Sequence, residues 1–118
     1  MSPILVLALL ATPTAPSLSE RFQALAQAEH MVRKCASLDR SAATIARAKR
    51  SHAAAAAVSA RARAAAAEGR RTWTAMQGQV DDSCIVGPRE TPRRSYRDLL
   101  DQYERTTRDI ARDLERKR

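Results

Sequence analysis

The amino-acid sequence predicts an all-α chain, a long Ala/Arg-rich helix followed by a shorter one, arranged as an αα-hairpin or open coiled coil. Three observations carry that expectation. Residues 18–68 contain neither Gly nor Pro. Ala, the best helix former, occurs 24 times in 118 residues, while aromatic residues are only 3%. Apolar side chains recur at alternating spacings of four and three in two separate stretches, the signature of helical seams. Past Ser19 only 13 Leu, Ile, Val or Phe residues remain, too few for a β-sandwich, a Rossmann unit or a large enzyme-like core.

Residues 1–19 read as a secretory signal peptide. Ile4 to Ala11 is a continuous apolar run, followed by small residues and prolines, with cleavage expected near 17–19. The run falls well short of the roughly 20 residues a spanning helix needs, so no transmembrane span is expected. The 18 Arg against 3 Lys and the Ala excess point to GC-rich coding. The expected location is therefore a bacterial periplasm or the exterior.

Residues 20–118 form a single helical domain in this reading. A first helix covers about 20–79; Gly69, the first breaker after the leader, leaves a break there open, while Trp73, Met76 and Val80 at spacings of three and four would carry the helix on to Gln79. Ser17 and Glu20 have capping-box spacing, although cleavage would remove Ser17. Within the helix Met31, Cys35, Leu38, Ala42 and Ile45 form a narrow coiled-coil stripe. From His52 to Ala67 the chain is nearly pure Ala, with Val58 the one large apolar side chain.

Residues 80–90 are a connector punctuated by Gly87-Pro88. Thr91 then offers an N-cap and Pro92 a first helical position. In the helix 91–118, Tyr96, Leu100, Tyr103, Thr107, Ile110 and Leu114 repeat as a clean seam, flanked by i,i+4 pairs such as Arg97–Asp101 and Asp101–Arg105. The seams are sparse, so self-association through them is expected.

Cys35 and Cys84 are the disulfide candidates, and an intramolecular bond, an intermolecular bond and free thiols all stay open. Geometry links this choice to the helix. A straight helix from Cys35 to Gln79 would span about 66 Å, so an internal bridge and an unbroken helix exclude each other.

No catalytic, metal or cofactor constellation is found. His30, His52, Cys35 and Cys84 lack the paired spacing of zinc ligands, and both histidines read as solvated helix residues. Nucleophile elbows, H-E-x-x-H and phosphate-cradling glycine loops are absent. Asp109 and Asp113 share a helical face among arginines and read as a structural pair, not an acid/base dyad.

The charge layout is the informative feature. Residues 33–71 hold ten Lys or Arg against Asp39 and Glu68, which accounts for the whole net charge of +8. On one continuous helix Arg33, Arg40, Arg47, Arg50 and Arg61 would form an outward stripe about 40 Å long, the candidate contact for a polyanion. The expected function is that of a small exported helical binding or structural protein of the bacterial envelope, without catalysis or cofactor. Its Arg stripe would meet an anionic envelope polymer, a lipid surface or an acidic partner. The alternative is a cytosolic or virion-associated basic helical protein that binds nucleic acid. That alternative is weaker, because no aromatic side chain interrupts the basic segment to stack bases.

Overall fold

A computed structural model describes residues 15–84 and 92–116. The described chain is all-helical and contains four α-helices: α1 Leu18–Lys34, α2 Ala42–Arg61, α3 Arg63–Met76 and α4 Pro92–Arg116. Short 3-10 turns at Ala36–Leu38 and Gln77–Gln79 follow α1 and α3. The apolar run Ile4 to Ala11, the Gly87-Pro88 turn and the Thr91 cap lie outside the described residues.

Helix α1 is central: α3 and α4 both pack on it, and α2 packs chiefly on α4. Its start is fixed by a closed capping box, in which the Ser17 hydroxyl accepts the Glu20 N–H and the Glu20 carboxylate accepts the Ser17 N–H. Each cap satisfies an N–H that the helix itself leaves without a partner. Its buried face is Phe22, Leu25, Ala28 and Val32, spaced by three, three and four. The α4 seam meets that face as the spacing predicts, with Tyr96, Leu100, Tyr103, Thr107 and Ile110 all buried and Leu114 packed against the cluster.

The long first helix of the sequence reading is divided, and not at Gly69. One division falls between Cys35 and Ser41. Asp39 is extended there and only 6% exposed, its carboxylate accepting the Ser41 N–H at 3.0 Å and the Thr44 hydroxyl at 3.1 Å. Ser41 then caps α2 by accepting the Thr44 N–H. An Asp and a Ser competing locally for backbone donors make restarting the helix here cheap. The stripe Met31–Ile45 is cut by this division, and Ile45 ends up 47% exposed.

The second division is at Ala62, whose backbone (φ −146°, ψ 60°) leaves the helical region between α2 and α3. No Gly, Pro or capping side chain marks it. Its physical reason is that the two helices serve different partners. Ser51, Ala55 and Val58 of α2 are buried, as are Ala66, Gly69 and Trp73 of α3, which lies on α1.

Gly69 is therefore a contact and not a breaker. A Cβ placed on it would lie 2.5 Å from the Gln23 backbone nitrogen and 2.7 Å from the Phe22 carbonyl carbon and Cβ. Only a residue without a side chain lets α3 come this close to α1.

The chain reversal brings Cys35 and Cys84 into disulfide geometry, with Cα atoms 5.5 Å apart across 49 residues. Closing a loop of that length is worth about 4 kcal/mol by the chain-entropy argument. Alongside it, Asp82 is gripped by Lys34 Nζ at 2.7 Å and His30 Nε2 at 3.0 Å. His30 also lies against Trp73, ring centroids 5.5 Å apart. The solvated His30 of the sequence reading is thus a half-buried clamp on the returning chain.

Two outcomes test these packing statements. Gly69→Ala gains up to about 1 kcal/mol in helix propensity but meets backbone, where overpacking costs about 1–3 kcal/mol. Urea denaturation should show a net loss, and an unchanged or higher midpoint would refute the close crossing. The second concerns acid. Lys34 and then His30 hold the Asp82 carboxyl at a pKa of about 2, below its ordinary 3.8. A carboxyl that titrates lower when folded contributes fully above about pH 4, and the contribution is lost as pH falls through 2. Asp82→Asn should flatten the stability decline over that interval, and parallel pH profiles for the two proteins would remove Asp82 from the account.

Candidate anion-binding surface

The arginines expected to share one stripe are separated by the division at Cys35–Ser41 and by their own partners. Arg40 sits in the α1–α2 connection and is exposed. Arg47 turns inward to α4. Its Nε and Nη2 donate to the two Glu104 carboxylate oxygens at 2.8 Å each, and Nη2 also bonds Asp101. Ser51 Oγ adds a hydrogen bond to Glu104 at 3.1 Å. Paired planar groups of this kind give both strength and geometry. The Arg47 bond chiefly lowers the Glu104 carboxyl pKa, and Glu104 chiefly raises that of the Arg47 guanidinium. Arg47 is a fastener between α2 and α4, a role its sequence spacing did not announce. Asp101 serves the same joint instead of pairing along α4 with Arg97 or Arg105.

Arg33 pairs with Glu29 at 3.0 Å and Arg61 with Glu115 at 3.3 Å. Both pairs are largely solvent-exposed, so each is worth at most about 1 kcal/mol and is readily exchanged for another anion. Arg50 is exposed without an acidic partner among the described residues. Of the ten basic side chains in residues 33–71, six share that condition: Arg40, Lys49, Arg50, Arg63, Arg70 and Arg71. Three of these lie on α3, outside the sequence-predicted stripe. The missed signal was the net charge itself, which ran through residue 71 while the stripe stopped at 61.

Where α2 bends away at Ala62, an open cleft of about 420 Å³ forms between α1, α2 and α3. Alanines form much of its wall, among them Ala55, Ala60 and Ala66, and Arg33, Arg63 and Arg70 also line it. Arg63, Ala66, Ala67 and Arg70 follow one another at helical spacing on a single face of α3. Glu29 is the acidic residue in the lining, and it faces Arg33.

His52 borders the same cleft and contacts the Tyr103 hydroxyl through Nδ1 at 2.9 Å. It is not the solvated histidine of the sequence reading. Burial, reinforced by Arg33, holds its pKa below the ordinary value, and burial pushes the Tyr103 phenol well above its usual range. A neutral imidazole that lines the basic cleft is thus bonded to a neutral, buried phenol.

Among the described residues no three His, Cys, Asp or Glu side chains converge as a metal site. No helix among them is long and apolar enough to cross a membrane. The α4 seam that the sequence offers for self-association is buried within the chain itself. Comparison with protein-family models, with curated proteins and with solved structures finds no match to this chain.

Proposed function

We infer that this chain is a small exported, non-catalytic binding protein of the bacterial envelope that holds acidic polymers or anionic lipid surfaces. The observation that carries this reading is the group of six exposed cations without acidic partners in residues 40–71. Other cations of the same segment are paired within the chain, as in Arg47–Glu104 and Lys34–Asp82. Cations held on rigid helices and left uncompensated concentrate polyanions nearby at little ordering cost. Two further features support export: the apolar amino-terminal run and a cysteine pair in disulfide geometry, which suits an oxidising compartment. The exposed cations lack interleaved aromatic side chains, which favours charged polymers and headgroups over stacked bases.

The test is binding to vesicles of phosphatidylglycerol and phosphatidylcholine in equal parts, followed by co-sedimentation. Affinity should fall by roughly tenfold or more between about 50 and about 300 mM salt as screening shortens. Lys49→Glu, Arg50→Glu and Arg71→Glu together should abolish binding at low salt with helix content unchanged. Arg47 is left alone, since its loss would open the α2–α4 joint. Vesicle binding insensitive to salt and to charge reversal would overturn the reading. Tight binding to a short DNA duplex without vesicle binding would replace it with the nucleic-acid alternative.

A further inference from the structure

We propose that the cleft between α1, α2 and α3 binds a single phosphate-monoester amphiphile. Its head would lie between Arg63 and Arg70, and its acyl chain along Ala56, Ala60 and Ala67. The proposal rests on the anion-binding reading and gives it a defined ligand.

Three features of the cleft argue for it. Its volume, about 420 Å³, falls in the range of small-molecule sites and exceeds what a bare inorganic anion needs. Its charge is unbalanced by design of the sequence: Glu29 offsets Arg33, while Arg63 and Arg70 face no acid among the described residues. The two lie seven residues apart on one helical face, about 10 Å along the axis. A monoester phosphate, carrying about −1.5 to −2 at neutral pH and three acceptor oxygens, matches two guanidinium groups better than a singly charged carboxylate does.

The third feature is the wall between those charges. Exposed Ala56 and Ala60, with half-buried Ala67, offer apolar surface with no long side chain to fill the space, so a ligand's hydrocarbon can remove it from water. A purely electrostatic surface would have no use for such a wall. His52, lining the cleft with its Nδ1 on Tyr103, supplies a spectroscopic reporter.

The experiment uses the full disulfide-bonded chain and dihexanoyl phosphatidic acid kept below its micelle concentration, titrated by calorimetry. Saturable binding of one lipid per chain is expected, roughly tenfold tighter than glycerol phosphate, with no binding of dihexanoyl phosphatidylcholine. The His52 ring resonances should move with the same saturation curve. Arg63→Glu with Arg70→Glu should weaken binding at least about tenfold, and Lys49→Glu with Arg50→Glu should not. Ala60→Trp, at an exposed position, plugs the cleft without changing charge and should abolish lipid binding while salt-sensitive vesicle binding persists. Equal affinity for glycerol phosphate and the lipid, or lipid binding unaffected by Ala60→Trp, would overturn the cleft proposal while leaving the vesicle reading intact. Loss of vesicle and lipid binding alike in the unmodified chain would overturn both.

Discussion

The structure depends on how closely α3 can lie on α1. With so few large apolar residues, this chain cannot fill a wide gap between helices, and at Gly69 it removes the gap instead. Backbone meets backbone there, and small contacts summed over a tight crossing replace the missing hydrocarbon volume. Once α3 is committed to α1, and α2 to α4, the helical path between them has to bend at Ala62. The bend in turn opens the basic cleft. A packing solution forced by an Ala-rich composition thereby generates the cleft lined by Arg33, Arg63 and Arg70.

Charge follows the same logic of commitment. Two cations are spent on internal partners across elements: Arg47 on Glu104 and Asp101, and Lys34 on Asp82. The α3 face and the outer face of α2 lie beyond the reach of those acids, and there the arginines stay uncompensated. The composition alone gives a net charge, but only the fold divides that charge into fasteners and free surface. The same division explains why a charge reversal at Arg47 and one at Arg71 are different experiments.

The α4 seam was legible from spacing because every contact it makes is set by a regular helix of known period. The mutual exclusion of a Cys35–Cys84 bridge and a straight helix was legible too, since it needs only reach and rise. Other features were not. Asp39 and Ser41 carried a usable signal, an acidic residue and a capping hydroxyl in succession, but strong flanking propensity hid it. Ala62 carried no local signal at all, because its conformation is dictated by what α2 and α3 touch. Gly69 was visible but its role stayed open, since a glycine admits a turn and a close approach equally and only the neighbour decides. The Arg stripe failed as a unit for the same reason: a wheel drawn through Arg33, Arg40 and Arg47 assumes one uninterrupted helix.

The covalent link between Cys35 and Cys84 has a topological consequence. It closes residues 35–84 into a ring that contains α2, α3 and the six uncompensated cations of residues 40–71, with α1 and α4 forming the stem on either side. A protease that cuts within that ring, at any of its arginines, severs the backbone without releasing a fragment. The nicked chain gains only the one water of hydrolysis and stays a single molecule until the sulfur link is reduced, and both cut ends stay anchored to the stem. Arginine-rich surfaces are targets for trypsin-like enzymes, and here the richest one is fastened at both ends.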